Sequence, residues 1–138
     1  MDLYEIKEGA LAELTGSGPR RGGEWEADVF PAPVPLRTAA GVCYPPVALV
    51  VEAGSGFVFC AKVLEPGDHE AKILGDALVS AMVEHRQVPS RVAVRPGLEK
   101  VLAPLGGMLA MRVEVSGGME TLAAAWASLT ARMKAGLP

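Results

Sequence analysis

The stretch YPPVALVVEAGSGFVFCAKVLEPG, residues 44–67, restricts the fold more than any other part of the chain. Two β-rich runs, residues 47–52 and 57–64, flank AGSG, a small-residue connection of the kind that closes a hairpin. The first run is apolar on both faces, so it belongs inside a sheet. After Pro66-Gly67 the period lengthens to that of a helix. Ile73, Leu74, Ala77, Leu78, Ala81, Met82 and His85 share one broad stripe, with Lys72, Asp76 and Glu84 mostly outside it. Asp68 suits the N-cap or first turn of that helix.

Periodicity extends the pattern in both directions. Residues 2–14 form a short helix with Leu3, Ile6, Ala10 and Leu14 near one face. TGSGPRRGG then packs four glycines, a proline and two arginines into nine residues, the composition of a linker or surface loop. Arg20 and Arg21 within it are candidate anion contacts. EWEADVF alternates, with Trp25, Ala27 and Val29 on one side and Glu26, Asp28 and Phe30 on the other. Three prolines in PAPVP exclude a central strand there and leave an edge or a connection. QVPS ends the long helix, and RVAV is a buried strand stopped by Pro96-Gly97. GLEKVLAPLGG is a short helix closed by its glycine pair, and MLAMRVEVS is a further strand. GGMETLAAAWASLTARMKAG is a final helix whose Met119, Leu122, Ala123, Trp126, Leu129 and Met133 pack into the core.

The resulting order is β, β-hairpin, α, β, α, β, α. Short links make the first three strands antiparallel, and right-handed helical crossovers make the last two parallel to their neighbours. The expected fold is a mixed five-stranded α/β sheet with helices on both faces and the Trp25 strand central, beside the strand at 91–94. Residues 1–23 are read as a short helix and a Gly/Pro/Arg linker, and residues 24–138 as a single domain.

A chain of 138 residues suffices for one such domain, and 50% hydrophobic with 21% charged residues is a globular composition. Aromatic residues make up only 5%, so Val, Leu, Ala and Met build the core. A net charge of −3 argues against a nucleic-acid partner, for which a basic face supplies most of the affinity. No apolar run approaches the ~20 residues of a membrane span. MDLYEIKEG is acidic and lacks the features of a signal peptide. Cys43 and Cys60 make no disulfide framework or zinc pattern, and read as reduced thiols of a cytoplasmic protein.

The element order and several local details resemble the ribonuclease-H-like fold, especially integrase and transposase cores. In those proteins a first strand of the form aromatic-x-x-Asp carries a metal ligand, and WEAD puts Asp28 at that position. VVEAGSGFVFCAKVLEPGDHEAKILGDAL resembles the block that follows. The family's fourth strand ends in a second Asp, where this chain has Arg95-Pro96-Gly97, and its closing helix begins with a Glu, matched by Glu120. The resemblance spans residues 24–134. The chain is also similar to an uncharacterised bacterial domain family with a Pro-preceded hydrophobic strand, a turn with glycine and a later Arg-Pro segment, which implies no activity.

Two-metal phosphodiester cleavage needs several acidic ligands around ions ~4 Å apart. Asp28 and Glu120 are the two catalytic candidates. Glu52 and Glu114 do not stand at the fourth strand's end, and an inward Arg95 repels divalent cations. As ordinary residues, Asp28 faces solvent from a strand and Glu120 complements a helix dipole. His69 and His85, sixteen residues apart, share no face as an HExxH pair does. No GxSxG elbow is present, neither cysteine has a neighbouring His, and AGSGF is too short for a phosphate loop. The expectation is a degenerate, non-catalytic domain without metal or cofactor that binds a macromolecule, a protein before a nucleic acid, with Arg95, Arg20 and Arg21 as candidate binding residues. The alternatives are a divergent metal-dependent nuclease using Asp28 and Glu120, and a small-molecule-binding α/β domain.

Overall fold

The computed structural model describes residues 3–16, 18–64 and 69–136. In chain order the elements are α1 (Glu8–Thr15), β1 (Arg20–Arg21), β2 (Glu24–Pro31), β3 (Leu36–Thr38), β4 (Gly41–Cys43), β5 (Pro46–Glu52), β6 (Val58–Val63), α2 (Glu70–His85), β7 (Gln87–Val88), β8 (Arg91–Val94), α3 (Leu98–Leu109), β9 (Arg112–Val115) and α4 (Glu120–Lys134). Five strands form the main sheet in the order β6-β5-β2-β8-β9. β2 pairs antiparallel with β5 and β5 with β6, whereas β8 lies parallel to both β2 and β9. The mixed α/β sheet and its central strand are therefore as the sequence implies.

Each placement has a local cause. β5 is apolar on both faces, and Val47 to Val51 are all buried between its two neighbours. Trp25, Ala27 and Val29 of β2 join Leu74, Leu78 and Met82 of α2 and Leu102 and Leu105 of α3 in the larger core. The Trp25 ring stacks on Phe59, with centroids 4.2 Å apart. On the other face Leu49, Val51 and Leu122 form a smaller cluster beneath α4.

Several boundaries move, each for a tertiary reason. The first helix begins at Glu8, because residues 3–7 form no helix and instead bury Tyr4. The Tyr4 backbone N–H bonds to the Val101 carbonyl at 2.9 Å, and its hydroxyl donates to Asp76 at 2.7 Å. Leu14 is buried in the same core, so the N-terminal segment and the sheet share one apolar interior. TGSGPRRGG contributes β1, which pairs parallel with β7 in the QVPS stretch. The second helix begins at Glu70, and Asp68 lies outside the described residues. α3 runs through its glycine pair and stops at Ala110, which takes the left-handed φ of 55°. A Cβ at Gly106 would stand 2.8 Å from the Met111 carbonyl oxygen, so this glycine admits a close return of the chain and is not a stop signal. β3 and β4 form a small hairpin that periodicity did not reveal.

The final helix departs most from expectation. Of α4 only Leu122 is buried, and Trp126 is half-buried, stacked on Phe30 at 4.4 Å with the ring planes 10° apart. The cause is that α4 covers its face of the sheet by itself, while α1, α2 and α3 share the opposite face.

Gly75 sits where Tyr4 crosses α2, and a Cβ there would stand 2.3 Å from the Tyr4 ring. Gly→Ala in a helix ordinarily stabilises by about 1 kcal/mol, but overpacking of this kind costs about 1–3 kcal/mol. Gly75→Ala is therefore expected to lower stability to urea unfolding by about 1 kcal/mol. In the Tyr4→Ala background the same change should stabilise. Additive effects would show that the ring does not depend on this glycine.

Candidate functional site

The C-terminal ends of β2 and β8 bring together the residues that the sequence marks for chemistry. Both strands run the same way with Glu26 beside Ala93, so two residues further along Asp28 stands level with Arg95. Asp28 is the one buried charged residue among those described, at 7% exposure, and does not face open solvent. One carboxylate oxygen accepts the Val29 N–H at 2.8 Å and lies 3.4 Å from Nε of Arg95. Arg95 also pairs with Glu70, the first residue of α2. One guanidinium thus ties the central strand to the end of its neighbour and to the start of a helix.

Burial pushes the Asp28 carboxyl above its ordinary range. The Val29 N–H and the Arg95 charge oppose that shift without cancelling it, and the nearby Glu70 adds to it.

Other carboxylates of the sheet are also engaged. Glu26, two residues before Asp28 on β2, accepts the backbone N–H of Leu122 at 2.8 Å and so caps α4 from the sheet. Arg91 donates to Glu114 at 2.6 Å across β8 and β9, and Arg112 lies 3.5 Å from the same carboxylate. The Arg91 hydrogen bond holds the Glu114 carboxyl below its usual range. Glu52 accepts the Ser55 hydroxyl at 2.6 Å in the turn after β5.

Asp28 and Glu120 are not brought together. Glu120 lines a groove with Gly54 and Gly56, and its neighbour Thr121 accepts the Gly54 N–H at 3.0 Å. That turn is level with Glu24, because the Ala53 N–H bonds to the Glu24 carbonyl. At about 3.3 Å per strand residue, the turn is some four residues, or ~13 Å, from Asp28 along β2. Among the described residues no group of three or more His, Cys, Asp or Glu side chains is placed to hold a metal ion.

Arg20 and Arg21 are structural in their contacts. Arg21 donates to the Leu109 carbonyl at 2.7 Å and to the Leu14 carbonyl at 3.5 Å, satisfying acceptors in the last turns of α3 and α1. Arg20 reaches Gln87 at 3.4 Å. Glu26 and Glu70 were not singled out by sequence reasoning. The Glu26 partner is 96 positions away, beyond any local pattern. Glu70 carried one faint signal, a first-turn acid at a helix start.

Fold and site together define a mixed α/β domain in which an ion pair and a helix cap occupy Asp28 and Glu26 of the central strand. The chain belongs to the family described as a domain of unknown function, DUF6930, whose model matches residues 11–130. No curated protein matches it. No helix among the described residues is long and apolar enough to cross a membrane.

The raised Asp28 carboxyl sets the sign of a pH effect. With its folded value above its unfolded value of about 3.9, the native state holds the proton longer. The contribution of Asp28 is therefore most favourable in acid and is lost as pH rises through the folded value. Asp28→Asn keeps an acceptor for Val29 and leaves Arg95 its Glu70 partner. It should match or fall below wild type near pH 3 and gain on it toward pH 7 in urea unfolding. A difference independent of pH would mean that the carboxylate is not desolvated.

Proposed function

We propose that this chain is a ribonuclease-H-like domain whose metal-binding end is replaced by ion pairs, and that it acts in the cytoplasm as a non-catalytic module binding a protein partner. Support for the fold comes from the central first strand, flanked by the second strand antiparallel and the fourth parallel, as the resemblance requires. The observation that carries the functional reading is Arg95. It occupies the position of the family's second aspartate and pairs with Asp28 and Glu70.

A guanidinium beside Asp28 supplies positive charge where a nuclease needs cations, and it does so permanently. Among the described residues no third acid groups with Asp28 and Glu120 to complete a site that clamps both oxygens of a phosphodiester. Glu26 and Glu114 accept from a helix end and from two arginines. The net charge of −3 favours a protein over a polyanion. Leu36, Val42 and Tyr44, on and next to the β3–β4 hairpin, are all exposed and offer apolar surface for such a contact.

Calorimetric titration with Mn²⁺ is expected to show no saturable binding for wild type or Asp28→Asn. No cleavage of single- or double-stranded DNA or RNA should appear with either protein. Micromolar binding that depends on Asp28, together with metal-dependent cleavage, would replace this reading with a divergent nuclease. Arg95→Asp is the complementary variant. Mn²⁺ binding gained there would identify the guanidinium as the group that closes the site.

A further inference from the structure

We propose that α4 forms one half of a two-fold interface whose partner is a second copy of this chain. The inner side of α4 is accounted for by Leu122 in the smaller core and Trp126 on Phe30. Its outer side carries Glu120, Ala124, Ser128 and Arg132, a row at i+4 spacing in which all four residues are exposed. This row borders a groove of 690 Å³, floored by Leu49, Val58 and Ala61 of the sheet.

The charges at the ends of the row select the occupant. Glu120 and Arg132 stand about 18 Å apart at the helical rise of 1.5 Å per residue. Among the described residues neither is in an ion pair. Read forwards the row is acid, small, small, base, and a two-fold axis through its middle reverses that order on the partner. Each Glu120 then faces the other copy's Arg132, and each Ala124 faces the other copy's Ser128. This is the reciprocal matching of an isologous interface. The two small residues at the centre let the backbones approach, and rows of this spacing interdigitate at a crossing angle of about −50°.

The sheet beside α4 has the matching deficit. Val58 and Val63 of β6 are 44% and 55% exposed, and their pairing with Val51 and Val47 turns both toward the α4 side. β6 is an edge strand, and a single helix leaves this strip uncovered.

This inference does not rest on the ion-paired reading of Asp28 and Arg95, which concerns the other end of β2. Metal binding there would leave it standing, and a monomeric chain would leave that reading standing. The test is sedimentation equilibrium on wild type, Glu120→Arg, Arg132→Glu and an equimolar mixture of the two variants, with circular dichroism to verify folding. Each variant alone places like charges opposite one another at both ends of the row. Its dimer is expected to dissociate about tenfold or more readily than wild type. In the mixture every acid again meets a base, and association should return as a heterodimer close to wild-type strength. Raised salt should weaken the wild-type dimer. The proposal is overturned by a wild type that remains monomeric at all concentrations, by variants that dimerise as tightly as wild type, or by a mixture that fails to recover.

Discussion

The covered part of the central strand allows no idle charge. β2 is paired with β5 on one edge and, over Glu24–Glu26, with β8 on the other, and it is roofed by helices on both faces, yet it carries Glu26 and Asp28 on the side that α4 crosses. A carboxylate in such a place must find a donor or a counter-charge, or be driven neutral. The other unusual features on that face follow from this requirement. Glu26 supplies the missing acceptor for the first turn of α4, fixing where the helix starts. Asp28 draws in Arg95, and through Arg95 the start of α2.

The same constraint separates positional likeness from chemical likeness. Metal-dependent cleavage uses carboxylates left short of partners, so that cations complete them. Along this strand the two carboxylates away from its exposed start already have protein donors: a helix N–H for Glu26, and a backbone N–H and a guanidinium for Asp28. Glu114 is held in the same way by arginines on its own and the neighbouring strand. The end of the sheet is therefore tied together by ion pairs, and exposed surface lies elsewhere, on the β3–β4 hairpin, the β6 edge and the outer row of α4.

The two faces of the sheet are unequal, and that inequality bears on what the domain can do. Three helices cover one face and bury Trp25, Leu74, Leu78 and Leu102 completely. One helix covers the other, leaving Trp126 half-exposed and Val58 and Val63 in contact with water. An apolar strip bounded by a charged helical row is an unusual surface for an isolated domain to present.

Local pattern by itself determined the β5–β6 hairpin, the long helix and the order of the main-sheet strands and their helices, because side-chain period and turn chemistry are properties of a few consecutive residues. It placed β5 inside the sheet, since a strand apolar on both faces has nowhere else to go, and β2 at the centre through the handedness of crossovers. Tertiary structure alone decided what the charged residues do. No local rule pairs Glu26 with Leu122, or Arg21 with the ends of two helices, because those partners meet only when distant segments pack. Tyr4 shows the same limit. Its neighbours read as helix, but a glycine in α2 leaves room for its ring, and burying that ring outweighs one more helical turn. Asp28 and Glu120 matched a motif in order, yet the path of α4 across the sheet keeps them apart. Proximity in space is set by packing, which the spacing of residues along the chain does not encode.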